Sequence, residues 1–261
     1  MSVKNIDIKI DKINIFKNII DAFKDLVSDG CFKFSNNNLI MEAIDSSSIA
    51  LCTLKINNNF FKRYNCKDLS IGISLEYLSK ILKFANIDNS LILTLTEEEP
   101  TILKIVLEGL KKSKFDFKIS NISFDSLNIP DDETIMNQYN AIISLNFKEF
   151  KSILLEYKAI TTDYINLTIT KENEQCYLSF ISNGTGAIGL ANTTIEVDEI
   201  KEIENNSTIS NIFSIKYLID FTKLSLAEDV FIYISIEHPL IIEYKIDDCN
   251  IKYFLAPKIS E

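Results

Sequence analysis

The chain is poor in the residues from which many catalytic sites are built. It has one histidine, His238, and six glycines in 261 residues. A Ser-His-Asp or Cys-His site would have to use His238, which lies beside Pro239 in a predicted turn. The glycines leave little room for a phosphate-binding loop, and Gly184-Thr185-Gly186 is not followed by the Gly-Lys-Ser/Thr of such a loop. We therefore predict that the protein is not an enzyme.

Paired cysteines and long apolar runs are also missing. The five cysteines are widely spaced and form no CxxC pair, so neither zinc binding nor dithiol chemistry is expected. They are interpreted as buried thiols in a reducing compartment, at Cys31, Cys52, Cys66, Cys176 and Cys249. No apolar run reaches 18 residues, so no membrane-spanning helix is predicted. We expect no metal and no other cofactor.

Two acidic runs leave one enzymatic alternative open. Glu97-Glu98-Glu99 and Asp131-Asp132-Glu133 could bind a cation and support a hydrolase. Consecutive side chains in a turn rarely converge on one ion, so solvated loops are the favoured interpretation. Loss of a metal-dependent nuclease activity on substitution of Glu97 or Asp131 would favour the hydrolase.

What the sequence does contain is an internal repeat. Residues 91–105 and 230–244 each read as an alternating strand, an acidic turn that ends in proline, and a second alternating strand. The two prolines, Pro100 and Pro239, are 239 − 100 = 139 positions apart. A period of about half the chain predicts two similar domains in tandem.

Periodicity places two helices in each half. Apolar residues at helical spacing predict helices over residues 12–27, 74–86, 147–160 and 215–226. Short strands with tight connections predict largely antiparallel sheets and thus an α+β fold. A segment without steady periodicity separates the halves and is interpreted as an extended linker. The predicted N-terminal domain, interdomain linker and C-terminal domain cover residues 1–119, 120–135 and 136–261.

The net charge of −10 hides an uneven distribution. Residues 12–27, 75–86, 147–160 and 215–226 hold ten lysines and six acidic residues, so these helices carry +4 and the remainder carries −10 − 4 = −14. A single lysine stripe is typical of a solvated amphipathic helix. Four stripes at repeat-related positions also suit a surface that faces phosphates, because lysine attracts a nucleic-acid backbone without reading its bases.

Six segments, taken together and in order, carry a resemblance to a known family. They cover residues 44–51, 64–66, 78–83, 127–130, 239–246 and 252–259. Through them the chain resembles, over essentially its whole length, the proliferating cell nuclear antigen (PCNA) family of eukaryotic-type DNA sliding clamps. The resemblance implies a DNA-clamp fold with two similar domains. It also implies a closed homotrimeric ring that encircles duplex DNA without sequence preference, as a processivity factor in DNA replication and repair.

The same resemblance implies which side chains face the DNA. The matching residues are Lys17, Lys24, Lys80, Lys83, Lys216 and Lys223. The first helix departs from the family's pattern at Asn18, and the third helix departs at Ser152, Leu155 and Ala159. The expected substitutes on that third helix are Lys148, Lys151 and Lys158.

A pocket for partner peptides is implied as well. Its ligand would be a short segment with a glutamine, an aliphatic residue and two aromatic residues, carried by DNA polymerase, the clamp loader and other proteins. The matching residues are Ile44, Ser48, Ile49, Leu51, Leu127, Ile129, Pro130, Pro239, Phe254, Ala256 and Pro257, with Lys258 and Ile259 at the edge. An apolar pocket suits aliphatic and aromatic side chains.

The resemblance carries three further expectations. Lys171 resembles the lysine that receives ubiquitin-type modifiers. The ring would pair a strand near 114–119 of one subunit with a strand near 186–194 of the next. The expected location is the nucleus, with no membrane partner. One alternative of the same class stays open, in which the chain is one subunit of a heteromeric or checkpoint clamp.

Overall fold

The computed structural model describes residues 3–120, 129–161, 163–185 and 187–258. These residues fold into two compact units. The first unit takes the described residues before 121, without 49–51, and adds Lys245–Ile251. The second unit takes the others. Both combine antiparallel strands with short helices.

The first unit is built on two sets of strands. The strands are β1 (Lys4–Ile10), β2 (Asp29–Phe34), β3 (Asn38–Ile44), β4 (Ala50–Asn57), β5 (Arg63–Cys66), β6 (Leu69–Ser74), β7 (Ser90–Thr96), β8 (Ile102–Glu108) and β9 (Lys112–Lys118). The helices are α1 (Ile13–Phe23) and α2 (Leu75–Leu82), and a 3-10 turn covers Asn58–Phe60. One sheet has the order β5-β1-β7-β8-β9, and the other strands follow the order β4-β3-β2-β6.

The second unit begins with an additional helix. Its helices are α3 (Asp132–Gln138), α4 (Phe147–Ile160) and α5 (Ile215–Phe221). Its strands are β10 (Ala141–Asn146), β11 (Tyr164–Glu172), β12 (Gln175–Asn183), β13 (Leu190–Lys201), β14 (Thr208–Ser214), β15 (Asp229–Ile234), β16 (Leu240–Ile246) and β17 (Cys249–Leu255), although Lys245–Ile251, which covers the end of β16 and the start of β17, belongs to the first unit. The strand order is β14-β11-β12-β13-β10-β15-β16-β17.

The two units share one topology, which confirms the predicted duplication. In the first unit β2 lies between β3 and β6, and in the second β11 lies between β12 and β14. The first strand of each unit pairs with the strand that follows its last helix, as β1 with β7 and β10 with β15. All these pairings are antiparallel.

Alternation and helical spacing explain why these segments form these elements. On β1, every second side chain is fully buried, at Ile6, Ile8 and Ile10. On α1, the buried side chains recur every three or four residues, at Phe16, Ile19, Ile20 and Phe23. The core of each unit therefore follows directly from the hydrophobic pattern.

The helix over 147–160 has the predicted bounds because its start is capped. The Asn146 side chain accepts hydrogen bonds from the backbone N–H groups of Lys148 and Glu149, at 2.9 and 3.4 Å. Three other helices end earlier than predicted, at Phe23, Leu82 and Phe221. After α5, the Thr222 hydroxyl donates back to the Ile219 carbonyl at 2.8 Å, which competes with helix continuation.

Helix α3 corrects the prediction of two helices in each domain. It begins inside the segment interpreted as an extended linker over 120–135, where Asp131 caps it by accepting the Thr134 N–H at 2.8 Å. Ile135 on this helix is buried, which a solvated linker does not explain. The boundaries at 1–119, 120–135 and 136–261 stay predictions. No helix in the described ranges is long and apolar enough to span a membrane.

Candidate functional site

The first unit places its predicted DNA-facing lysines on a pair of packed helices. Helices α1 and α2 contact each other, and the buried Ser79 hydroxyl donates a hydrogen bond to Asp21 at 2.5 Å. The lysines lie outside this contact: Lys80 and Lys83 are exposed, and Lys17 and Lys24 are half-buried. The helix pair therefore presents positive side chains to solvent on a fixed backbone.

Part of this positive charge is balanced locally. The Lys80 ammonium lies 2.5 Å from the Glu76 carboxylate, one helical turn away. This hydrogen bond raises the pKa of Lys80 and lowers the pKa of Glu76, but an exposed pair of this kind contributes little to stability. Among the residues that the structure describes, no carboxylate lies within 4.0 Å of the Lys17 or Lys83 ammonium. Those two charges are the most available on this helix pair.

The second unit repeats the arrangement on α4 and α5, which also pack together. The Lys151 ammonium lies 5.7 Å from the Phe147 ring centre, and the Lys216 ammonium lies 5.8 Å from that of Tyr217. Lys151 is half-buried, and the other predicted contacts are exposed, namely Lys148, Lys158, Lys216 and Lys223. These nine lysines stay proposed DNA contacts.

Helix α4 is less basic than the resemblance implies. Leu155 has 47% of its surface exposed, at a position where the family tends to have a basic residue. The Ser152 hydroxyl donates to the Glu156 carboxylate at 3.2 Å, and Ala159 is exposed. The exposed face of α4 therefore mixes lysines with small and apolar residues.

Nine of the thirteen predicted peptide-pocket residues lie in the second unit. They are Ile49, Leu51, Ile129, Pro130, Pro239, Phe254, Ala256, Pro257 and Lys258. The chain after β17 is fixed by backbone hydrogen bonds, from the Ala256 N–H to the Ile49 carbonyl at 3.0 Å and from the Lys258 N–H to the Ile212 carbonyl at 2.8 Å. Ile49 has 41% of its surface exposed beside this segment, which leaves it available to a ligand.

Of the other four predicted pocket residues, two are described in the first unit and two are not described. Ile44 is exposed at the end of β3 in the first unit. Ser48 is exposed in the following turn, where its φ of 55° is in the left-handed region. Leu127 and Ile259 lie outside the described residues.

A buried cluster that the sequence did not predict lies against predicted pocket residues of the second unit. Ile135 and Tyr139 join a buried cluster with Ile142, Tyr233 and Ile241, and the predicted pocket residue Phe254 packs against it. The Tyr139 hydroxyl donates to the carbonyl of Pro239, another pocket residue, at 2.7 Å. The sequence does contain a sign of the helix that carries Ile135: Asp131 is a typical capping residue, and it stands three positions before Thr134.

Lys171 is not an exposed lysine. Only 6% of its side chain is accessible, and its ammonium lies 3.0 Å from the Glu199 carboxylate. Glu174 lies farther away, at 3.6 Å. The hydrogen bond to Glu199 raises the pKa of Lys171. A modifying enzyme would have to break this pair, so the assignment of Lys171 as a modification site stays a prediction.

Several strands have an open edge within the described residues: β5, β6, β9 and β14 each pair with a single strand, and part of β13 is paired on one side only. In the first unit β9 pairs with β8 alone. In the second unit the stretch 190–197 of β13 pairs with β12 alone, because β10 pairs only with 198–201. Apolar side chains are exposed near the edges of β9 and β13: Leu110 fully, Phe84 at 68% and Leu190 at 70%.

Side chains of the two acidic runs, both of which the structure describes, form salt bridges or cap a helix, and they do not converge on a common point where a metal ion could bind. Glu97 pairs with Lys67 at 2.6 Å, and Glu99 pairs with Lys104. Asp131 caps α3. No group of three potential ligands for a metal ion is present in the described part of the chain.

The chain is similar to known proteins over nearly its whole length. Residues 5–128 match the family model "Proliferating cell nuclear antigen, N-terminal domain", and residues 129–259 match "Proliferating cell nuclear antigen, C-terminal domain". A proliferating cell nuclear antigen from Chaetomium thermophilum is 31% identical, with 98% of this chain and 99% of that protein covered. A crystal structure of the corresponding antigen from Entamoeba histolytica has a TM-score of 0.84 and 27% identity, with 98% of this chain and 100% of that chain covered.

Proposed function

This chain belongs to the proliferating cell nuclear antigen family of sliding clamps, and on that premise we propose that three copies close into a ring around duplex DNA. Such a ring tethers DNA polymerase to its template and holds other replication and repair proteins at the DNA, in the nucleus. The proposed action is topological, so it needs no catalytic group in this chain.

The observation that carries the proposal is the complementarity of two of the open strand edges, those of β9 and β13. A head-to-tail ring joins two different surfaces of each subunit, so every subunit needs two complementary edges. The β9 strand, Lys112–Lys118, has three lysines and one aspartate, which gives 3 − 1 = +2. The open stretch 190–197 of β13 has one acidic residue, Glu196, and no basic residue, which gives −1. Opposite charges and exposed apolar side chains favour pairing of β9 with β13 of the next subunit.

The lysines on α1, α2, α4 and α5 support the DNA-facing role. Ammonium groups attract phosphates as point charges and give no base recognition. Their partial neutralisation by Glu76 on α2, and the exposed Leu155 on α4, keep the attraction modest. A ring that slides needs such weak and dispersed contacts, because tight contacts with individual phosphates would hold it in place.

The partner-binding role is supported by the exposed apolar residues around the fixed C-terminal segment. Ile49 is accessible, Ile129 is half-buried, and Phe254 rests on a packed cluster. A preformed apolar surface of this kind accepts aliphatic and aromatic side chains at low entropic cost. The proposed ligands are the short segments of DNA polymerase, the clamp loader and other proteins that carry a glutamine, an aliphatic residue and two aromatics.

The mass of the purified chain in solution tests the proposal. Light scattering coupled to gel filtration should give about three times 29.8 kDa, the mass of one chain. A single-chain mass at micromolar concentration would contradict the homotrimer. Assembly only after addition of different clamp subunits would instead support the heteromeric alternative.

A further inference from the structure

Helix α3 is held at both ends by lysine ammonium groups. At its start, Lys252 binds the Asp132 carboxylate. At its end, Lys201 donates to the carbonyl of Met136 at 2.8 Å, and also to the carbonyl of Tyr139. A helix of seven residues is marginal by itself, because few internal hydrogen bonds offset the cost of its first turn. These anchors and the burial of Ile135 therefore decide where α3 lies.

The two lysines have different surroundings. The Lys252 side chain is 8% exposed and lies 3.8 Å from Glu243, which is 2% exposed and accepts the Tyr233 hydroxyl at 2.5 Å. Removal of Lys252 would weaken the compensation of a buried carboxylate, with a large cost to folding. Lys201 is half-buried, and its removal would leave backbone carbonyls that water can reach. Lys201 is thus the anchor that can be changed without disturbing the core.

Helix α3 in turn positions four residues of the second-unit part of the pocket. Ile129 and Pro130 directly precede its capping residue. Phe254 packs against the cluster formed by Ile135 and Tyr139, and Pro239 accepts a hydrogen bond from Tyr139. Any movement of α3 is transmitted to these residues through covalent linkage, packing and that hydrogen bond.

We propose that Lys201 is a positioning residue for partner peptides: its ammonium caps the C-terminal carbonyls of α3 and so fixes the pocket residues that α3 carries. A cation is the suitable cap because the last carbonyls of a helix are unpaired and carry partial negative charge. Within the described residues, the hydrogen bonds of the Lys201 ammonium go to backbone carbonyls at the end of α3. The inference rests on the proposed peptide-binding function.

The test is the affinity of the full-length protein for a synthetic fluorescent peptide with the glutamine, aliphatic and double-aromatic pattern, measured by fluorescence anisotropy. Lys201→Met should bind the peptide roughly three- to tenfold more weakly than the wild type, the effect expected for loss of one helix-terminal charge contact. Lys201→Arg keeps the cation and should bind within about twofold of the wild type. Lys67→Met, which removes an ion-paired lysine of the first unit, is the matched control and should leave affinity unchanged.

Two further readouts separate positioning from general stability. The solution mass and the thermal midpoint of Lys201→Met should match those of the wild type, while the backbone amides of 132–139 should exchange hydrogen for deuterium faster. If the wild type and Lys201→Met bind the peptide equally well, this inference is overturned but the proposed partner function is not. The same holds if Lys201→Arg binds the peptide as weakly as Lys201→Met. A weaker affinity with a matching loss of global stability would show a merely structural role and also overturn it. A wild-type protein that binds no such peptide would overturn the proposed partner function, and this inference with it.

Discussion

The ammonium of Lys171 on β11 lies 3.0 Å from the carboxylate of Glu199 on β13, with both side chains largely withdrawn from solvent. The hydrogen bond raises the pKa of Lys171, so the neutral, nucleophilic amine is scarcer at neutral pH than for a solvated lysine. With an acetylating reagent and mass spectrometry, Lys171 should react more slowly than the exposed Lys158, by about tenfold for each unit by which its pKa is raised. Because the pKa of Lys171 is raised, its reactivity should increase at a higher pH than that of a solvated lysine.

A substitution at the partner tests the cause. Glu199→Gln removes the charge but keeps a carbonyl oxygen, so Lys171 should be acetylated faster than in the wild type, while Lys158 should be unaffected. If Lys171 and Lys158 react equally fast in the wild type, the buried pair does not persist in solution. In that event Lys171 would be as open to a modifying enzyme as any surface lysine.

The open edge of β13 leads to a prediction on assembly. Leu190, with 70% of its surface exposed, is proposed to enter the subunit contact. Leu190→Asp would place an unpaired carboxylate there, at a cost of several kcal/mol. The mass by light scattering should fall toward 29.8 kDa, with an unchanged circular dichroism spectrum. Leu226→Asp, at an exposed leucine outside the strands, is the control and should remain a trimer; dissociation of both variants alike would remove the support for this edge.

The gap in the basic face of α4 leads to a gain-of-function prediction. Leu155→Arg should add three positive charges to each ring and strengthen the attraction for duplex DNA. The salt dependence of DNA binding should steepen, with each new phosphate contact adding about 0.9 to the slope of log K against log salt. Ile236→Arg adds the same charge on an exposed residue in the turn between β15 and β16, outside the four helices that carry the lysines, and should leave the slope unchanged. Identical slopes for the two variants would show that α4 does not face DNA.

The half-buried Ile129 leads to a prediction on partner binding. Ile129→Ala removes apolar contact area and should weaken the binding of partner peptides by about 1 kcal/mol or more, in proportion to the area lost. Titration calorimetry with the synthetic peptide measures this change, and Val3→Ala at an exposed valine is a suitable control. The trimer mass should stay the same; loss of assembly in Ile129→Ala would mean that this segment has a structural role.

Much of this fold could be predicted from local pattern. Helix α4 has its predicted bounds because its periodicity and its Asn146 cap agree. The duplicated hairpins were visible as alternating strands around Pro100 and Pro239. In such segments one face is buried, so the sequence of a few neighbouring residues is enough to specify the structure.

What escaped prediction depends on residues far apart in the chain. Helix α3 is stabilised by Lys201 and Lys252, more than 60 positions away from the groups they bind. The burial of Lys171 depends on Glu199, which is 28 positions away on another strand. Local periodicity has no information on such pairings, and a short helix with one buried residue gives too weak a periodic signal to be recognised.

The central claim, encirclement of DNA by a closed ring, is tested most directly by retention on circular and linear DNA. Fluorescent protein would be loaded onto a nicked circular plasmid by a clamp loader, isolated by gel filtration, and followed after one restriction cut. We expect it to stay with the circle for many minutes, to leave the cut DNA rapidly, and to be retained again when both ends are blocked by bound streptavidin. Equal retention on the circle and on the unblocked linear DNA would contradict the account.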